Sequence, residues 1–267
     1  MRMRMLMTIC GVMLGSVLLE ASGALAGDVE MGPVVLGYVE RLEYHSNAPG
    51  ENYYLTGDYG PVTYLNNVVF ATRKLDNHVS GMLTYINKYD LDANETATHI
   101  GNVSIFHDRT RHWRLTYSFS LVTNPERAVT GRVLEKNDTG WAGFGAEHTS
   151  NPGNRKKATW KSGIIASTAT DVAASKTITG KFGYRAAINP KTTLNATYQA
   201  VFGFADHNDP MSRQELYANQ IFLALDRNIS ANSRLQLEYQ YIDNEYNGNL
   251  GDDSVARLSW MRFLKTK

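Results

Sequence analysis

Polar and apolar residues alternate over unusually long stretches of this 267-residue chain. Residues 233–241, SRLQLEYQY, would give an extended strand one polar face and one apolar face. The clearest segments run for about 10–12 residues, longer than the ~5–6 of an average soluble strand and sufficient for the ~9–11 of a tilted membrane-spanning strand. After residue 26, no apolar run is long enough for a spanning helix. We therefore predict an all-β fold: a transmembrane antiparallel up-and-down β-barrel of about 12–14 strands behind a signal peptide.

The N-terminus has the layout of an export signal. Arg2 and Arg4 precede an apolar stretch over residues 5–19, and Ala24-Leu25-Ala26 follows as an A-x-A cleavage site. We predict that residues 1–26 are a signal peptide cleaved after Ala26. The only cysteine, Cys10, falls within it, so the mature chain is expected to be stabilised by a large core or by a membrane rather than by disulfides.

The charge balance excludes several functional classes. The chain has 27 basic and 26 acidic residues and a formal net charge of +1, which gives no electrostatic field for binding nucleic acid. The seven histidines are scattered without metal-ligand spacing. We therefore predict no nucleic-acid partner, no metal site and no cofactor.

Four segments show the alternation most clearly: residues 112–121, 177–188, 193–204 and 233–241. Asn189-Pro190-Lys191-Thr192 has turn-forming composition and separates the second segment from the third, so these two are predicted to form a hairpin. Every connection is expected to be short. Weaker segments of the same kind lie at 34–45, 62–75, 79–89, 97–107, 128–135, 140–148, 158–168, 214–225 and 254–264, with a further candidate at 52–59.

The two faces of these strands differ in the way expected of a membrane barrel. Aromatic residues near the ends of the apolar faces are predicted to form lipid-facing girdles: Trp113, Tyr117, Tyr184, Tyr198, Tyr239, Tyr241 and Trp260. The polar faces are predicted to line the lumen with Arg114, Thr116, Ser118, Lys181, Arg185, Arg234, Gln236 and Glu238. Four of these residues are basic and one is acidic, which favours a modest anion preference unless the charges pair across the barrel to hold it rigid.

A short His-Ser motif offers an enzymatic alternative. His148-Thr149-Ser150-Asn151 is similar to the H-x-S-N stretch of outer-membrane phospholipases and lipid A deacylases, and residues i and i+2 of a strand face the same way. However, residues 156–165 contain no Asn, Asp or Glu to orient the histidine, and Asn151-Pro152-Gly153-Asn154 is ordinary turn composition. We therefore assign no catalytic residue.

The chain as a whole resembles Gram-negative outer-membrane β-barrel proteins of the porin-like kind. The resemblance rests on the signal peptide, the run of hairpins and the ending YQYIDNEYNGNLGDDSVARLSWMRFL at residues 239–264. It implies that residues 27–267 are an outer-membrane β-barrel domain. It also implies that outer-membrane lipid, lipopolysaccharide and the outer-membrane assembly machinery are partners.

Three functions fit such a barrel. The first is a channel, or porin, for small polar solutes. The second is a structural barrel, or one filled by a protein partner as the sheath or export pore of an outer-membrane complex. The third is a lipid hydrolase that uses His148 and Ser150.

Overall fold

The computed structural model describes residues 33–48, 60–124, 127–129, 132–134, 137–150, 158–169, 176–205, 214–244 and 252–265. The predicted signal peptide at 1–26 and the candidate strand at 52–59 lie outside these ranges. Within them, no helix is long and apolar enough to cross a membrane.

The described residues form β-strands joined by turns, and the predicted all-β barrel is confirmed. Of the fourteen described strands, twelve close into one antiparallel barrel, in which each strand pairs with the barrel strand before it and the one after it, and the first strand closes the circle on the last. The strands are β1 (Val35–Ala48), β2 (Gly60–Lys74), β3 (Val79–Asp90), β4 (Glu95–Asp108), β5 (Trp113–Asn124), β6 (Arg127–Val129), β7 (Arg132–Leu134), β8 (Asn137–Thr149), β9 (Thr159–Ala169), β10 (Lys176–Asn189), β11 (Thr192–Ala205), β12 (Gln214–Ser230), β13 (Ser233–Asn244) and β14 (Asp253–Lys265).

The segment predicted as a strand at 128–135 is not part of the barrel. It contributes instead to β6 and β7, two three-residue strands that pair only with each other, while β5 pairs directly with β8. Gly131 in the middle of the segment is a turn signal that competes with the alternation. The prediction of a single strand there was wrong, and the connection between β5 and β8 is a long one with its own hairpin.

The two ends of the barrel differ in their connections. At the end where β1 begins and β14 ends, four of the five connections are tight turns, residues 75–78, 109–112, 190–191 and 231–232, and the fifth comprises residues 150–158. Connections at the opposite end are mostly longer, which is the arrangement of outer-membrane barrels with short periplasmic turns and longer extracellular loops. By that rule, the end with the tight turns is the periplasmic end.

A carboxylate closes one of these turns. Asp76 Oδ1 accepts the backbone N–H groups of His78 at 2.5 Å and Val79 at 2.6 Å. These bonds favour the ionised form, so the pKa of Asp76 is lowered from its ordinary value.

The outer surface carries large apolar side chains at alternate positions along the strands. Ile164 is 54% exposed, Phe182 51% and Leu237 55%. A water-soluble protein rarely exposes so continuous an apolar surface, whereas a barrel in a bilayer covers it with lipid. The exposure of these side chains identifies the face of each strand that contacts lipid.

Candidate functional site in the barrel lumen

The pairing register between strands shows which residues face the lumen and which face lipid. Residues directly opposite each other in an antiparallel pair lie on the same face of the sheet. Leu237 pairs with Leu225 and Leu258, and all three are exposed on the outer surface. Gln236 pairs with Asp226 and therefore points the other way, into the lumen.

The lumen-facing residues of β14, β1, β2 and β3 form what we call the packed wall. At its centre, the Glu43 carboxylate accepts hydrogen bonds from Lys88 Nζ at 2.9 Å and from Arg257 Nε at 2.5 Å. Arg257 also donates to Glu238 Oε1 of β13 at 2.6 Å. The Glu43 side chain is only 7% exposed, so these ion pairs are well shielded from water.

A histidine extends this network toward the extracellular end. His45 Nδ1 lies 2.7 Å from Asp253 Oδ2, and its Nε2 lies 3.0 Å from Glu43 Oε1. A neutral imidazole donates only one hydrogen bond, whereas an imidazolium can donate to both carboxylates. The Tyr64 ring lies beside this cluster, with Lys88 Nζ 3.8 Å from its centroid and His45 packed edge-on. The network therefore links β1, β3 and β14 across the barrel closure.

Apolar side chains complete the packed wall. Val39, Val68 and Val255 are buried although their face is the lumen face. Phe70 lies directly across Gly37, where any Cβ would collide with its ring, and it packs edge-on against Phe263 with centroids 6.0 Å apart. This side of the lumen is filled by its own side chains.

The lumen-facing residues of β8 to β11 form what we call the open wall. The buried positions described on this wall are two glycines, Gly145 and Gly183. Small polar residues on the same wall pair with each other, as in the hydrogen bond between Ser167 and Thr177. A cavity of about 240 Å³ lies between this wall and the lumen faces of β12 and β13. It is lined by Lys181, Asn195, Thr197, Gln199, Phe222, Ala224, Gln236 and Glu238.

A lysine without a direct ion pair in the described part of the chain borders the cavity. Among the described residues, neither Lys181 nor Arg185 forms an ion pair, although each lies on the lumen face of β10. Side-chain amides and hydroxyls surround Lys181 in the cavity. The open wall therefore offers hydrogen-bonding groups and a positive charge to whatever occupies the lumen.

Comparison with solved structures identifies the fold. An outer-membrane channel from Pseudomonas putida F1 superposes with a TM-score of 0.56 at 11% identity, covering 87% of this chain and 96% of that one. The NanC porin superposes with a TM-score of 0.52 at 11% identity, covering 85% of this chain and 99% of that one. The chain has the outer-membrane β-barrel fold. No family model and no curated protein matches the sequence.

In this barrel, the lumen residues proposed from sequence are dispersed over several strands rather than gathered at one site. Lys181, Gln236 and Glu238 border the cavity. Arg114 lies near the periplasmic end and donates to both Asp108 carboxylate oxygens at 2.7 and 3.1 Å. The remaining positions also share the lumen register: Thr116 opposite Gly145, Ser118 opposite Gly143, Arg185 opposite Asn195, and Arg234 with Nε 3.3 Å from Asn228 Oδ1.

The proposed girdle residues lie on the outer face. Trp113, Tyr117, Tyr198 and Tyr239 are exposed, whereas the other three are half-buried: Tyr184, Tyr241 and Trp260. Tyr184 packs against Trp160, with ring centroids 4.6 Å apart. Exposed and half-buried aromatic rings of this kind suit the interface between hydrocarbon and headgroups.

Most of the acidic lumen groups were not predicted from the sequence. Glu43, Asp108, Glu147, Asp226 and Asp253 all lie on the lumen face, so Glu238 is not the only acid there. Most of them lie on strands with weak alternation, and Glu147 adjoins the His148 motif. Extending the cross-strand register from the clear strands to their neighbours would have located Asp226, which pairs with Gln236.

His148 and Ser150 are engaged in other contacts. The His148 ring packs 5.0 Å from the Trp113 ring and 5.9 Å from the His112 ring, on the lipid-facing side. Ser150 Oγ accepts the backbone N–H of Trp160 at 2.9 Å. These contacts are those of a strand end and its turn, and in the described part of the chain no hydrogen bond joins the two side chains.

Proposed function

We propose that this protein is an outer-membrane channel for small polar solutes with a modest preference for anions. The observation that carries the proposal is the cavity beside the open wall, where Lys181 forms no direct ion pair among the described residues and Glu147 acts on it only electrostatically. A cavity of this size has room for several waters or a small solute.

The lining of the cavity suits hydrated solutes. Asn195, Gln199 and Gln236 supply amide donors and acceptors, and Thr197 supplies a hydroxyl. These groups can replace part of a solute's hydration shell without binding it tightly, which is what a conducting pore requires. The fold shared with an outer-membrane channel and with a porin supports the same proposal.

The anion preference follows from the difference between the two walls. On the packed wall, Lys88 and Arg257 are neutralised by Glu43 and Glu238. On the open wall, Lys181 forms no direct ion pair among the described residues, so its ammonium group can contact solutes. A charge in a narrow pore is screened less than a charge on an open surface, so a lysine without a direct ion pair can bias conduction.

Planar-bilayer recording tests this function. Purified protein is inserted into a bilayer under a salt gradient, and the reversal potential reports the sign of the selectivity. We expect a conductance with a modest anion preference, and we expect Lys181→Glu to shift the reversal potential toward cation selectivity.

Lys191→Glu is the matched control. It makes the same charge change on the same hairpin, but at the exposed turn after β10 rather than in the cavity. The control is expected to leave the reversal potential close to that of the unmodified protein. A cation-selective unmodified pore would contradict the charge argument, and a lack of conductance would favour the structural or partner-filled barrel.

A further inference from the structure

Polar side chains interrupt the lipid-facing surface where the barrel closes. Glu40 of β1 pairs with Asn67 of β2, Asn67 with Asn87 of β3, and Asn87 with His99 of β4, so the four occupy directly opposed positions on the outer face. We call this row the polar strip. Elsewhere on the barrel, the same face carries mainly Leu, Ile, Phe, Tyr and Trp.

Glu40 lies within the apolar band and not at its edge. On its own strand, Leu36 lies on one side, and Leu42 and Tyr44 lie on the other, all exposed on the outer face. On β2, Asn67 is likewise flanked by Leu65 and the exposed Val69. Hydrocarbon gives a carboxylate or an amide no hydrogen bonds, so such residues in a membrane generally face a partner.

The hydrogen bonds within the polar strip do not satisfy all of its acceptor oxygens at once. The Tyr38 hydroxyl lies 3.0 Å from Glu40 Oε1 and 3.0 Å from Asn67 Oδ1. One hydroxyl has one hydrogen, so it can satisfy only one of these oxygens at a time. Among the described residues, Glu40 has no basic partner.

A cation lies next to the strip. Arg262 of β14 pairs with Tyr38, and its neighbour along the strand on the same face, Trp260, pairs with Glu40. The Arg262 guanidinium stacks over the Trp260 ring, with its Cζ 4.2 Å from the centroid, which brings it toward the level of Glu40. Within the described ranges Arg262 forms no ion pair. One lipid-facing patch therefore presents an acid and a base, each without an ionic partner.

We propose that this patch is the interface of a homodimer in the membrane. In a two-fold interface, the same patch on each copy meets itself, so a patch with one acid and one base is self-complementary. Glu40 of each copy would then meet Arg262 of the other. Polar contacts of this kind hold membrane-spanning segments together where lipid supplies no hydrophobic driving force.

Energy transfer between copies tests the proposal. Two populations of the protein carry different fluorescent labels and are reconstituted into the same lipid vesicles. We expect association of the unmodified protein, and loss of self-association for Glu40→Lys and for Arg262→Glu, because each variant places like charges together. Mixing the two variants is expected to restore association, since both contacts between the copies are then acid to base. An ion pair within one chain would not be restored by mixing.

Two controls keep folding and association separate. Ser162→Lys puts a lysine on the outer face of β9, away from the patch, and is expected to leave association unchanged. Glu40→Gln removes the charge without adding another and is expected to weaken self-association. The variant should still change its mobility on an SDS gel when heated, which reports that the barrel is folded. The proposal would be overturned if energy transfer in the unmodified protein did not exceed the level expected for random proximity. It would also be overturned if the mixture of the two charge variants failed to associate.

Discussion

The two walls of the lumen are built from different side chains. The packed wall joins Glu43, Lys88 and Arg257 in a shielded network and fills the space beside it with apolar groups. The open wall has glycines and small hydroxyls, and it leaves Lys181 beside a cavity. The side chains of the packed wall therefore fill the lumen beside the barrel closure, whereas those of the open wall leave space in it.

Removing the central acid of the packed wall is expected to have the largest effect. Glu43→Ala leaves Lys88, Arg257 and His45 without their shared partner, and breaking a buried pair in this way costs about 3–5 kcal/mol. Urea unfolding in vesicles measures the loss. Glu147→Ala on the open wall is the control, because its pair with Lys161 is 38% and 43% exposed and such pairs contribute about 0–1 kcal/mol. Equal losses would mean that the two walls do not differ in rigidity.

A charge on the outer face is expected to have the next largest effect. Leu237→Arg places a guanidinium in lipid near the middle of β13 and should cost about 2–4 kcal/mol of folding free energy. Gln236→Arg, one residue away, enters the lumen next to Asp226, which Gln236 Nε2 already contacts at 3.0 Å, and should fold nearly normally. Folding yield in lipid vesicles compares them, and similar yields would show that the register is wrong.

The difference between these faces also explains how far the sequence predicts the structure. In β13 and β10, the lumen residues are polar and the lipid residues apolar, so simple alternation identifies strand, register and lumen face together. In β1, Val39 faces the lumen and Glu40 faces lipid, which inverts the pattern. On the packed wall, apolar lumen residues are buried by packing against side chains of neighbouring strands. The alternation within one strand does not show which residues those neighbours supply. For the same reason, the ionic network around Glu43 was not found from sequence.

A bulky residue on the open wall should reduce conductance with little loss of stability. Thr197→Trp projects an indole into the cavity, so we expect a lower single-channel conductance of the folded protein. Tyr198→Trp, the adjacent residue on the outer face, is the matched control and should conduct normally. If both variants conduct like the unmodified protein, solutes do not pass beside this wall.

The smallest effect is expected outside both walls, at the periplasmic turn closed by Asp76. Because hydrogen bonds lower its pKa in the folded state, ionised Asp76 stabilises the protein above an ordinary aspartate pKa of about 3.9, and this contribution disappears as pH falls through the lowered folded value. Asp76→Asn should therefore be slightly less stable than the unmodified protein at neutral pH and equally stable in strong acid. A difference that grows on acidification would contradict the assigned role of the carboxylate.

Thiol labelling tests the contrast between the walls most directly. The only native cysteine, Cys10, lies in the predicted signal peptide, so single cysteines can be introduced on the lumen faces without interference. Thr197→Cys borders the cavity, whereas Val255→Cys occupies a position that is 0% exposed on the packed wall. With folded protein in vesicles and a water-soluble, membrane-impermeant thiol reagent, we predict rapid modification of Thr197→Cys and protection of Val255→Cys until the barrel is unfolded. Equal rates of modification at the two positions would contradict the division of the lumen into an open and a packed wall.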